Sequence, residues 1–259
     1  MTTDAFFTRD GESYIPGPAC RGPWNPDSLH GRVVIGLLGF ELERLHGGEE
    51  WTPARLTVDL YRLPDFSPIT AVTRVVRGGK RIKVVDCELM SGGKSVARGT
   101  CQFLVRSGNA PGVTRSPPNW DVPKPDDLPP PPAGQFGERM WKMRNITSPF
   151  EGKDTPRRVW MSEIRDLVEG VPLTPFQRVA VAADFASPLA HRSETGLGYI
   201  NTDVTVYLHR LPKGEWIGFE ATNHHATDGV AVGECFLYDV EGQIGTASTA
   251  ALRQSREPR

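Results

Sequence analysis

The sequence predicts an α+β fold in which one unit is used twice, each copy a long buried helix wrapped by an antiparallel sheet. Three observations predict it: a strand motif repeated at fixed spacing, two apolar segments of helix length, and period-two alternation after each. Leu56–Pro64 (LTVDLYRLP) recurs as Val204–Pro212 (VTVYLHRLP), with six of nine positions identical at an offset of 148 residues. The same offset carries Cys87-Glu88-Leu89 onto Cys235-Phe236-Leu237.

The elements follow in chain order. Arg32–Leu45 is apolar on nearly every side until Glu41, Glu43 and Arg44, so its helix should be almost wholly enclosed. Strands follow, with Ser91-Gly92-Gly93-Lys94 as a hairpin turn. Pro111–Pro132 then holds nine prolines and ends in four consecutive ones. Such a tract is extended polyproline II. It could be read by a proline-binding module; its position between two copies favours a connector. The division is 1–106 for the first domain, 107–135 for the linker and 136–259 for the second domain. Phe136–Ile146 and Arg157–Arg165 read as strands leading into a second helix, Phe176–Leu189. In the next strand Val204, Val206 and Leu208 point to one face and Thr205, Tyr207 and His209 to the other. Gly214-Glu215-Trp216 opens another, and Val230–Tyr238 turns through Asp239–Gln243 into Ile244–Leu252.

Composition narrows the function. Lysine plus arginine is 30 against 31 acids, with a pI near 6.6. That balance gives no electrostatic footprint for nucleic acid or an anionic membrane surface. The longest apolar run, Val33–Phe40, is far short of the ~20 residues that cross a bilayer. The first ten residues lack the basic head and apolar stretch of a signal peptide, so a cytoplasmic protein is expected. Cys20, Cys87, Cys101 and Cys235 form no C-x-x-C pair and read as reduced thiols, with no metal site implied. A Gly-x-Ser-x-Gly elbow, a Walker loop and a dinucleotide fingerprint are all lacking, which argues against a covalent serine hydrolase and implies no cofactor.

Asp184 stands out inside Val179–Ala186, a stretch otherwise built for burial. A carboxylate there must be hydrogen-bonded or lie beside a cavity. Desolvation should raise its pKa, which suits a general base; the bland alternative is a helix-end carboxylate held by backbone or Arg178. Asn201 opens the repeated strand and can both donate to and accept from a water or carbonyl, while Tyr199 just before it is a candidate substrate contact. Asp203 reads as structural. His30-Gly31, ahead of the first helix, could present backbone N–H groups to an oxyanion, or Gly31 could serve only a tight entry. His224–Gly229 invites comparison with the His-His-x-x-x-Asp-Gly motif of condensation-type acyltransferases, but is one residue short. Adjacent histidines on a strand face opposite ways and cannot readily share a metal, so a strand end and turn is the reading.

Pro23–Gly31, the helix after it and Asp59–Pro64 together resemble the first half of the type II acyl-CoA thioesterase-like proteins of the double-hotdog superfamily. The second half is similar through Leu173-Thr174-Pro175, Ala182–Phe185 and Asn201–Arg210. The resemblance implies two tandem hotdog domains, a homo-oligomer, and hydrolysis of acyl-CoA by a water. That water would be held among an aspartate on the second helix, a threonine or similar residue on the next strand, and a glutamine on the last strand. Asp184 matches the aspartate and Asn201 falls at the threonine position. Residues 244–252 contain no glutamine, and Thr249 lies within a residue or two of that place. Arg32 stands where relatives favour a second glycine. A non-catalytic acyl or acyl-CoA binding protein with a degenerate site is the alternative.

Overall fold

In the computed structural model the described residues are 5–115, 120–131, 141–147 and 155–254. The order is β1 (Phe7–Asp10), β2 (Ser13–Pro16), α1 (Gly31–His46), β3 (Trp51–Leu60), β4 (Ile69–Gly78), β5 (Ile82–Ser91) and β6 (Lys94–Val105). Then come β7 (Trp141–Asn145), β8 (Arg158–Glu163), α2 (Pro175–Ala183), α3 (Ala186–His191), β9 (Arg192–Ser193), β10 (Gly196–Leu197) and β11 (Tyr199–Asn201). The chain closes with β12 (Asp203–Leu208), β13 (Ile217–Thr227), β14 (Val230–Asp239) and β15 (Gly242–Arg253). Apart from the small β9–β10 hairpin, the strands form one antiparallel sheet, ordered β1-β2-β4-β5-β6-β3-β12-β15-β14-β13-β8-β7, with β11 also on β15.

The repeat is visible in the register. β5 and β6 recur as β14 and β15 with both ends shifted by the same 148 residues. At the centre of the sheet β3 pairs with β12, and Thr57 stands opposite Thr205. Their hydroxyls are 3.2 Å apart across that sequence separation of 148. Repeat-related residues therefore face each other, which places a local two-fold axis at the β3–β12 seam. Alternation works as expected: Val204, Val206 and Leu208 are buried.

α1 packs on β3–β6 and runs antiparallel to α2, with Gly31 beside Asp184, Gly36 beside Val181 and Glu43 beside Gln177. A Cβ on Gly36 would stand 2.6 Å from Val181 Cγ2, so glycine sets how closely the helices approach. Every residue from Arg32 to Leu42 is buried. The buried Arg32 guanidinium lies 4.8 Å and 4.6 Å from the Phe6 and Trp141 rings and 2.7 Å from Glu163 Oε2. The charge is thus matched by a carboxylate from the other copy.

The expected second long helix is instead two short ones. Pro188 has no N–H to bond the Asp184 carbonyl four residues back, and its ring crowds that carbonyl. The chain tightens there, with Phe185 N–H donating to Ala182 O at 2.9 Å and Ser187 N–H to Asp184 O at 3.3 Å. The break leaves Asp184 at the junction of α2 and α3.

The described part of the proline tract is pinned to the outer face of the second copy. Trp120 stacks on Tyr238 at 3.9 Å and donates to Glu220 Oε2 at 2.9 Å, while Trp160 Nε1 donates to Pro123 O at 3.0 Å. Residues 136–140 of the first predicted strand lie outside the described residues; β7 supplies its remainder, and β8 is the second predicted strand. All four cysteines are free and buried. No helix is long and apolar enough to cross a membrane.

Candidate active site

Asp184 is buried at the α2–α3 break, and three elements converge on it. Asn201 on β11, held by pairing opposite Ala251 of β15, donates Nδ2–H to Asp184 Oδ1 at 3.0 Å. His30, the N-cap of α1, places Nδ1 3.1 Å from Asp184 Oδ2. Gly31 lies directly beneath: a Cβ there would be 2.8 Å from Asp184 Oδ1, so any larger residue would displace the carboxylate. The first N–H groups of α1 have no partner within the helix, and its N-terminus carries the positive end of the dipole.

The predicted upward pKa shift is reversed. Burial alone does raise it, but hydrogen bonding and charge from His30, the Asn201 amide and the Arg32 charge together outweigh that, holding Asp184 below the usual carboxylate range. The carboxylate is kept ionised. Arg178, considered as its partner, instead reaches Glu215 at 3.4 Å.

His30 Nδ1 also lies 3.2 Å from the Arg32 N–H. One ring nitrogen cannot accept and donate at once: bare, it caps α1; protonated, it donates to Asp184. The imidazole thus couples the start of α1 to the carboxylate. Asp203 is structural, its Oδ1 accepting from Ala250 N–H at 2.6 Å where β11 passes into β12.

Two cavities meet at Asp184, Asn201 and Trp24. The larger, about 200 Å³, is lined by Leu60, Leu63, Ile200 and Leu252 among others. The smaller, about 40 Å³, lies against Trp141, Met161, Phe185 and Pro188. A flat carbonyl group at this waist would have apolar space on both sides and the carboxylate beside it.

Of the residues singled out from sequence, Asp184, Asn201, His30 and Gly31 come together. Thr249 and Tyr199 lie elsewhere: Thr249 Oγ1 is 3.2 Å from Nε2 of His191, and the Tyr199 ring is 5.9 Å from the His191 ring. His191 was not a candidate, since nothing local marks a histidine at a helix end. His224–Gly229 is the end of β13 and its turn, with Asp228 at φ 51° and Gly229 at φ 83°, as a tight hairpin requires. Among the described residues no group of three or more His, Cys, Asp or Glu could hold a metal.

Comparison with known proteins gives two matches to family models. Residues 20–104 match the acyl-CoA thioesterase N-terminal domain and 115–251 match the acyl-CoA thioesterase C-terminal domain. No curated protein matches the sequence. Among solved structures, a proposed thioesterase of Novosphingobium aromaticivorans superposes with TM-score 0.75 at 20% identity, over 96% of this chain and 99% of that one. A hot dog fold protein of unknown function from Alicyclobacillus acidocaldarius gives TM-score 0.74 at 17% identity, over 97% and 96%. Acyl-CoA thioesterase II from Mycobacterium marinum gives 0.61 at 16%, over 88% and 90%. These likenesses show the hotdog fold.

Proposed function

The chain belongs to the acyl-CoA thioesterase family, and from that premise we propose that it hydrolyses acyl-CoA thioesters to free acid and CoA through a water activated by Asp184. The supporting observation is the ionised carboxylate held by Asn201 and His30 against the start of α1, where two cavities meet. With the thioester carbonyl at that waist, the larger cavity accommodates one half of the thioester. Asp184 accepts a proton from the water as its oxygen bonds to the carbonyl carbon. Gly31, at the start of α1, lines the larger cavity and its N–H stabilises the oxyanion, the Arg32 and Val33 N–H groups being held by His30. Collapse breaks the C–S bond, and the departing sulfur takes the proton held on Asp184, leaving as free thiol and regenerating the carboxylate.

In this reading the molecule is a double hotdog, with domains 1–106 and 136–259 joined by the linker 107–135, acting as a homo-oligomer in the cytoplasm. A release assay for free thiol over an acyl-CoA chain-length panel tests it. One observation favours a second reading: Thr249 is taken up by His191, and the glutamine of β15, Gln243, donates to Gly245 O at 3.3 Å and lines neither cavity, so the water has fewer holders. Tight acyl-CoA binding with no turnover at any chain length would make the protein a binding module.

A further inference from the structure

Each copy ends its helix in a histidine: His46 Nε2 lies 3.0 Å from Thr73 Oγ1 in the first, while in the copy that carries Asp184 the histidine joins a larger polar cluster. His191, buried at the end of α3, has Nδ1 2.9 Å from His224 Nδ1 and Nε2 3.2 Å from Thr249 Oγ1. Tyr199 closes the group, its ring 5.9 Å from that of His191 and 6.1 Å from that of His224. Gly233 makes room for it: a Cβ there would stand 2.7 Å from His191 Cε1. The duplication serves as an internal control. The 148-residue offset carries Tyr199, His224 and Thr249 onto Trp51, Val76 and Cys101, so the same strands form without these polar groups.

One fixed cation, Arg157, lies beside the cluster. Arg157 donates to Leu189 O at 2.9 Å and meets no carboxylate within 4.0 Å among the described residues. Burial, then the charges of Arg157 and His225, depress the His224 pKa; burial and His224 hold His191 at about 4. Glu234, on the neighbouring strand, turns to Asn223 at 3.3 Å and Ser248 at 3.5 Å. Both ring nitrogens of His191 are engaged. The Tyr199 hydroxyl and His224 Nε2 have no partner among the described residues, and the Arg157 guanidinium keeps donors beyond the one on Leu189.

We infer that Arg157, His224 and Tyr199 receive an anionic oxygen group, phosphate or carboxylate, borne by the molecule whose thioester lies at Asp184; this rests on the thioesterase reading above. The placement fits one extended ligand. α3 begins at Ala186, two residues past Asp184, and carries the chain about 8 Å to His191 at 1.5 Å per residue. β11 carries both Asn201 and Tyr199, and β15 carries both Thr249 and Ala251, the partner of Asn201. An anion there satisfies the spare donors and offsets the charge of Arg157. It has two possible sources, a phosphate on the carrier arm or a terminal carboxylate on the acyl group.

The test is calorimetric binding of CoA, phosphate-free pantetheine and hexanedioate to the full chain and to Arg157→Gln, Arg157→Lys and Tyr199→Phe. Loss of one charged hydrogen bond should weaken the anionic ligand about tenfold in Arg157→Gln, with Arg157→Lys recovering most of it. Weakening for CoA but not pantetheine assigns the phosphate; weakening for hexanedioate assigns the carboxylate. If Arg157→Gln binds CoA and hexanedioate as the wild type does, or loses CoA and pantetheine equally, the inference is overturned. Thiol release is measured separately: binding that depends on Arg157 in a protein without turnover sinks the hydrolase reading and leaves the anion site standing.

Discussion

The two ends of the antiparallel α1–α2 pair present the same arrangement, a carboxylate from one helix at the N-terminus of the other, and use it in opposite ways. At one end Glu43 meets the start of α2. There Thr174 donates Oγ1–H to its Oε2 at 2.5 Å, Gln177 Nε2 donates to the same oxygen at 2.8 Å, and the pair also forms a reciprocal capping box. Neither cavity reaches Glu43. At the other end Asp184 meets the start of α1, where the cap is His30 and the next residue is Gly31. A hydroxyl–amide box closes one end and stabilises a helix. A histidine and a glycine leave the other open to two cavities. The carboxylate alone does not distinguish the two ends; what caps the facing helix does.

The largest expected effect is on Asp184. Asp184→Asn should lower thiol release by on the order of 10²-fold or more, the contribution typical of a general base. Glu43→Gln, at the closed end, should leave turnover within about twofold on the scale of the ~10²-fold expected above; comparable losses in the two variants would break the comparison. Next comes Gly31→Ala. Its Cβ would push the carboxylate aside, and misplacement of this kind should cost between about 10- and 100-fold in kcat with little change in Tm. Thr174→Ala reverses the pattern: losing the cap should cost about 1–2 kcal/mol in a denaturant titration and leave kcat unchanged.

The smallest effect sharpens the comparison through pH. Asp184 has a lowered pKa in the folded protein, so its stabilising contribution is fully present above its unfolded value and is lost only as pH falls through the folded one. Turnover should therefore stay level into mild acid. Burial raises the Glu43 pKa, against the hydrogen bonds from Thr174 and Gln177, so the sign there is opposite. Stability declines as pH rises from its unfolded value through the folded one. Melting curves across pH should show Glu43→Gln removing that decline; a decline that persists in the variant assigns it elsewhere.

The repeat, the strand alternation and the hairpin turns were legible because each is encoded locally, as in Val204–Leu208. So was Asp184, conspicuous as a charge in an apolar run. The break beneath it is signalled only by Pro188, because the apolar pattern continues to Leu189. The direction of its pKa shift was not legible, since it depends on His30 and Arg32, more than 150 residues away in sequence. Nor was the pairing of Thr249 with His191, which sequence separation conceals and only the packing of α3 on β15 creates.

The seam between β3 and β12 has a consequence for how this molecule can change. Where two identical chains meet about a two-fold axis, each substitution appears on both sides of it. Here Thr57 and Thr205 meet across such an axis within one chain, so a substitution enters once. One end can acquire Gly31 and an open carboxylate while the other keeps a closed cap, and neither must compromise for the other. Pairing at the seam is also unimolecular, so its contribution to the melting temperature does not depend on protein concentration.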